Sequence, residues 1–129
     1  MTIRITDMVL RIFGVLALLL GILLWTGVVG DGLKPIHMLL GIIVTISLLI
    51  LGIAFGTMKG GNWGLGGVAI LWAIIVAAFG LFQEQMVIGN AHWVIQVLHL
   101  IFGLVAIGLG EMINARSRRI TTAQTRTAA

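Results

Sequence analysis

The chain has 129 residues, of which 60% are hydrophobic and only 9% are charged, with eight Lys and Arg against four Asp and Glu. Soluble domains carry roughly 25% charged residues, so this composition excludes soluble, disordered and nucleic-acid-binding proteins and indicates one integral membrane domain. The absence of Cys excludes disulfides, thiolate metal sites and covalently attached c-type haem.

Four apolar segments are long enough to cross a membrane, since a spanning helix needs about 20 residues. We predict helices at about residues 8–29, 36–55, 63–82 and 91–113. Together they form a domain of residues 1–119, followed by a flexible polar tail, 120–129. Because the connections are short, neighbouring helices should be antiparallel. The sequence therefore predicts an all-α, integral membrane four-helix bundle with up-down-up-down topology.

The basic residues are distributed unevenly between the predicted connections. With the N- and C-termini in the cytoplasm, only Lys34 lies outside, and the other seven Lys and Arg residues lie inside. Short loops and the lack of an organelle signal favour a bacterial cytoplasmic membrane. Membrane lipid is then an expected partner. We interpret the Arg116–Arg119 segment as the charge cluster that ends the last span, and contact with anionic headgroups is the alternative.

Polar residues are rare within the predicted spans, and each is a candidate functional residue because a membrane disfavours it. Arg11 and Glu111 fall near the cytoplasmic ends of the first and fourth helices, and no carboxylate falls at the membrane midplane. This pattern argues against a proton-coupled exporter and a carboxylate-bridged metal site. Without a Ser–His–acid set or paired carboxylates, the sequence does not indicate hydrolase chemistry.

The three histidines, His37, His92 and His99, fall in the outer halves of the second and fourth helices. His37 is followed four residues later by Gly41, and His99 by Gly103, in the matching segments IHMLLG and LHLIFG. Residues four apart share a helix face, so each glycine would leave a flat space beside an imidazole. Two imidazoles on facing helices can ligate a haem iron axially, and these spaces would accept the porphyrin.

The choice of histidine pair stays open at this point. From the predicted helix starts, His99 lies roughly 10 Å deeper than His37, whereas His92 matches the depth of His37 better. His92 and Gln96 lie near the helix face of His99 and could hydrogen-bond a ligand histidine or a haem propionate. The alternatives to haem are a His-rich metal-ion site and structural histidines that each hydrogen-bond a neighbouring helix.

The HMLLG and HLIFG segments resemble those of membrane four-helix b-type cytochromes, in which histidines on facing helices hold haem. The resemblance covers the second and fourth helices and implies one haem b, with His37 and His99 as axial ligands and Gly41 and Gly103 beside the ring. It also implies an electron carrier or subunit rather than a stand-alone enzyme. A quinol, a periplasmic redox carrier or a larger membrane complex would be its partner. Diheme members have a second histidine pair, which this chain lacks.

Two other functions fit the composition. One is a cofactor-free accessory or scaffold subunit of a membrane complex, in which small residues such as Gly52 and Gly56 serve lateral packing. The other, less favoured, is a small transporter, and either could be a homo-oligomer. The residues able to line a transport pathway are Thr45, Ser47, Gln96 and His99.

Overall fold

The computed structural model describes residues 2–86 and 89–128, which form four long α-helices joined by short connections. The helices are α1, Thr2–Trp25; α2, Lys34–Thr57; α3, Trp63–Phe82; and α4, His92–Ala128. Short 3-10 helices at Asp31–Leu33 and Gln83–Gln85 precede α2 and follow α3. The predicted all-helical fold is therefore confirmed for the described residues, and all four α-helices are long and apolar enough to cross a membrane.

Helix α1 begins earlier and ends earlier than the sequence predicted. The prediction began at Met8, but the helix also includes the charged residues Arg4 and Asp7, and Asp7 pairs with Arg11 one turn later at 2.7 Å. The helix ends at Trp25, and two residues later Gly27 adopts a φ of +72°. Only glycine takes this left-handed conformation without strain, which is why it often follows a helix end.

Helix α4 continues well past its predicted end near Ile113. Residues 120–128, predicted to be a flexible polar tail, form its last turns. The hydroxyls of Thr121 and Thr125 donate hydrogen bonds to carbonyls four residues earlier. Gln124 Nε2 also donates to the carbonyl oxygen of Lys59 at 3.0 Å, which connects this helix to the α2–α3 turn. Met1 and Ala129, parts of the predicted domain and tail, lie outside the described residues.

The helices pack around one apolar core. Each helix contacts the next along the chain, α4 also contacts α1, and α2 contacts α4 across the centre. Large aliphatic side chains remain exposed on all four helices, as expected where lipid rather than water surrounds a protein. The largest fully buried side chains are Phe55, Leu10, Leu48, Leu51, Ile113 and Asp7.

Helices α2 and α3 approach closely at glycines. A Cβ built at Gly52 would lie 2.7 Å from the carbonyl oxygen of Gly66, and one built at Gly66 would lie 2.6 Å from that of Gly52. A Cβ at Gly56 would lie 2.6 Å from the ring of Trp63. The small residues of α2 therefore let two helices of this chain approach closely, as the sequence indicated.

Candidate functional site

His37 and His99 lie next to each other inside the bundle. Their ring centroids are 6.1 Å apart, and the ring planes are inclined at 65°. His37 lies in the first turn of α2 and His99 two turns into α4, and these two helices pack directly together. The depth difference expected from the sequence is not observed, because that estimate assumed that both helices begin at the same level.

Each of the two rings packs against a glycine of a neighbouring helix. A Cβ at Gly21 of α1 would lie 2.9 Å from Cε1 of His37, and a Cβ at Gly80 of α3 would lie 3.3 Å from Cε1 of His99. The ring of Phe79 is nearly parallel to that of His99, with centroids 6.2 Å apart and planes at 10°. Gly21, Gly80 and Phe79 lie on α1 and α3. The sequence analysis missed them because it looked for neighbours of the histidines only on the second and fourth helices.

Open space borders the two glycines that the sequence placed beside the histidines. No neighbouring side-chain or backbone atom lies within 4 Å of a Cβ built at Gly41 or at Gly103. Both glycines are only partly buried. The structure thus shows unfilled space at both glycines, and the use of that space by a porphyrin stays a prediction.

The two adjacent histidines have unpaired nitrogens. Nδ1 of His37 and Nδ1 of His99 are both buried without a hydrogen-bond partner in the described part of the chain. The main chain of Ala17, on α1, is a hydrogen-bond neighbour of the His37 ring, although Nδ1 of His37 is left without a partner. Leaving a buried polar group unpaired costs about 1–3 kcal/mol. Nδ1 of each histidine is therefore free to bind a further group.

His92 has a different environment. Its Nδ1 lies 3.3 Å from the carbonyl oxygen of Met86, in the connection before α4. This contact gives Nδ1 of His92 the partner that Nδ1 of His37 and Nδ1 of His99 lack. Among the described residues, no ring contact joins His92 to His37. The pairing of His37 with His92, which the sequence left open, is therefore not observed. Gln96 lies one turn further along α4 and is partly buried.

The histidine pair offers two donors and no more. Within residues 2–86 and 89–128, no group of three or more His, Cys, Asp or Glu could hold a metal ion. A bare zinc ion usually takes three or four protein ligands, whereas haem iron brings four nitrogens of its own and needs at most two. Two donors thus suit a porphyrin-held metal better than a free ion.

The spacing of the two rings is compatible with axial ligation. An imidazole nitrogen binds a metal at about 2 Å, so two imidazoles on opposite sides of one metal have ring centroids roughly 6 Å apart. The observed separation is 6.1 Å. The distance between the centroids is thus compatible with two ligands of one haem, and haem binding itself stays a prediction.

A second polar cluster lies towards the other end of the bundle, between the start of α1 and the later turns of α4. Arg11 contacts Oδ2 of Asp7 at 2.7 Å through Nη2 and Oε1 of Glu111 at 2.9 Å through Nε. Asn114 Nδ2 also donates to Oδ2 of Asp7 at 2.7 Å. The sequence singled out Arg11 and Glu111 but missed Asp7, which it placed before the first helix, and Asn114.

Comparison of the chain with family models, with curated proteins and with solved structures gives no match.

Proposed function

We propose that this chain is a membrane b-type cytochrome in which His37 and His99 are the axial ligands of one haem. The observation that supports the proposal is a pair of partly buried imidazoles, with centroids 6.1 Å apart, whose buried Nδ1 atoms have no hydrogen-bond partner among the described residues. Cofactor sites in helical bundles are commonly built in this way, from side chains that project inward from facing helices. Non-covalent binding agrees with the absence of Cys.

The surrounding residues have supporting roles in this proposal. Gly41 and Gly103, each one turn from a histidine, leave space for the flat ring. Phe79 lies parallel to His99 and restricts the orientation of its imidazole. His92 and Gln96, on the preceding turns of α4, are the polar residues available for haem propionates.

The protein would act as an electron carrier. Haem iron with two imidazole ligands has no open coordination position, so the bound group supplies one-electron transfer rather than oxygen activation. A quinol, a periplasmic redox carrier or a larger membrane complex is the proposed partner. The apolar helices would keep water away from the haem. His37 and His99 would fix its position.

The proposed topology is up-down-up-down, with the N- and C-termini in the cytoplasm of a bacterial cell. Seven of the eight Lys and Arg residues are then on the cytoplasmic side. The hydrogen bond from Gln124 to the Lys59 carbonyl supports this arrangement, because it joins the α2–α3 turn to the C-terminal turns of α4. In this orientation the histidine pair lies in the half of the membrane that faces away from the cytoplasm.

Haem titration of the purified apo-chain in mild detergent tests the proposal. We expect saturation at one haem per chain, and we expect His37→Ala and His99→Ala each to abolish stoichiometric binding. His92→Ala removes a residue proposed for a propionate but no iron ligand, so it should lower the affinity while saturation stays at one haem per chain. Retention of full binding by either ligand variant would reject the proposed ligand pair, and a wild-type chain that takes up no haem would favour the cofactor-free subunit.

A further inference from the structure

An open cavity lies between the α2–α3 turn and the later turns of α4. Its volume is about 300 Å³, within the range of roughly 300–1,000 Å³ that is usual for small-ligand sites. The hydrogen bond from Gln124 to the Lys59 carbonyl oxygen holds the two sides of the cavity together. The residues that line it are Phe55, Gly60, Asn62, Arg116, Arg119 and Ile120.

The two arginines of the cavity have no carboxylate partner. The chain contains four Asp and Glu residues, of which two pair with Arg11 and two with Lys34. Within the described residues, no salt bridge reaches Arg116 or Arg119, and no acidic side chain lines the cavity. Two guanidinium groups therefore share one cavity without a counter-ion.

The polar side chains of the cavity can all donate hydrogen bonds to an anion. Arg116 and Arg119 are three residues apart on α4, so they lie on one face of the helix. A guanidinium offers several N–H donors in a planar arrangement that matches the oxygens of a phosphate. Oδ1 of Asn62 accepts from the Leu65 amide at 3.1 Å, which leaves Nδ2 as a further donor.

The cavity lies at the level of lipid headgroups rather than of acyl chains. From His92, where α4 begins, to Arg116 the helix rises about 36 Å at 1.5 Å per residue. The hydrocarbon core of a bilayer is only about 30 Å thick. Trp63, which follows Asn62 at the start of α3, is 57% exposed, and tryptophan is enriched at the membrane–water interface.

We infer that Arg116, Arg119 and Asn62 bind the phosphate of one anionic phospholipid in this cavity. The apolar side chains of Phe55 and Ile120 favour a lipid over a free phosphate ion, because only a lipid joins its phosphate to apolar groups that such side chains can contact. His37 lies in the first turn of α2 and Phe55 in its last, so the site is remote from the histidine pair and independent of haem.

Native mass spectrometry of the full chain in detergent, without haem, tests this site. The chain is titrated with phosphatidylglycerol and, separately, with phosphatidylcholine, which has the same phosphate but no net charge. We expect one phosphatidylglycerol to bind per chain, with an affinity higher than that of phosphatidylcholine by about fivefold or more. An excess of inorganic phosphate should leave the lipid bound. Displacement by inorganic phosphate would assign the cavity to a free anion and overturn the lipid assignment.

Three neighbouring arginines distinguish a site from general attraction to an anionic lipid. General attraction is similar for every basic residue, at about fivefold in affinity, so the three Arg→Gln variants would then be alike. Arg118 is exposed but does not line the cavity. Hydrogen bonds from the other two guanidiniums predict a loss of about tenfold or more for Arg116→Gln and for Arg119→Gln, and a smaller loss for Arg118→Gln.

A second comparison changes the cavity without removing an arginine. Asn62→Asp keeps an oxygen that can accept from the Leu65 amide, so the chain should fold. It adds a negative charge to the cavity and should lower the affinity for phosphatidylglycerol by about tenfold or more. Asn90→Asp makes the same change in the connection before α4, at the other end of the bundle, and should bind like the wild type.

Circular dichroism checks that each variant is folded. Larger losses of affinity at Arg116 and Arg119 than at Arg118 support the site. Equal losses in the three arginine variants, unchanged binding in Asn62→Asp, equal affinities for the two lipids, or a wild type that retains no lipid would each overturn it. Because the readout is the mass of bound lipid, this result is separate from the outcome of the haem titration.

Discussion

Adjacent glycines of α3 provide a matched test of the packing between α2 and α3. In Gly66→Ala the new methyl would lie 2.6 Å from the carbonyl oxygen of Gly52 and 3.2 Å from the nitrogen of Gly56. These are backbone atoms, so the two helices must separate to accept it. In Gly67→Ala, one residue further on, the new methyl meets nothing within 4 Å.

The expected magnitudes follow from two effects. Gly→Ala in a helix gains about 1 kcal/mol from propensity, and this gain is common to both variants. Overpacking costs typically 1–3 kcal/mol and applies only at Gly66. We therefore expect Gly67→Ala to be slightly more stable than the wild type, and Gly66→Ala to be less stable than Gly67→Ala by about 1–3 kcal/mol.

Reversible unfolding in mixed detergent and dodecyl sulfate micelles, followed by circular dichroism, measures this difference directly. The comparison of two neighbouring positions removes effects of detergent and of helix propensity. Equal free energies of unfolding for the two variants would refute the close backbone approach between α2 and α3.

Three further predictions concern single contacts. Trp72→Phe removes the hydrogen bond of 3.0 Å that Nε1 donates to the Phe102 carbonyl, between α3 and α4. The free energy of unfolding should fall by about 0.5–1.5 kcal/mol in a chemical unfolding experiment, and an unchanged midpoint would contradict this bond. Asn62→Ala removes the N-cap side chain of α3, which accepts a hydrogen bond from the Leu65 amide at 3.1 Å. The same assay should show a free energy of unfolding lower by about 0.5–2 kcal/mol, whereas Asn62→Asp should retain most of the stability. Gly41→Leu places a side chain in open space, so the apo-chain should unfold like the wild type while haem uptake falls; normal uptake would show that the porphyrin does not use this space.

The helical fold could be predicted because the apolar runs that cross a membrane are nearly continuous. Helix α3 occupies residues 63–82 as predicted, since Asn62 caps its start and glycine-rich turns precede it. The start of α1 and the end of α4 could not be predicted from hydropathy, because both helices contain charged residues beyond their apolar runs. There, contacts such as that of Arg11 with Asp7 take the place of continuous apolar sequence.

The candidate sites were predictable only in part. The matching spacing of His37 to Gly41 and of His99 to Gly103 singled out two histidines that the fold brings together. The glycines that pack on their rings belong to other helices, and no spacing within one helix could identify them. Asp7 and Asn114 are separated by 107 residues, so only the three-dimensional fold makes their pairing visible.

The visible spectrum of the dithionite-reduced protein, expressed with haem available and purified in mild detergent, tests the central proposal most directly. Ligation by His37 and His99 predicts sharp reduced α and β bands with a shifted Soret peak, which are typical of six-coordinate low-spin haem, and their loss in His99→Ala. A colourless wild-type protein, or an unchanged low-spin spectrum in His99→Ala, would contradict the account.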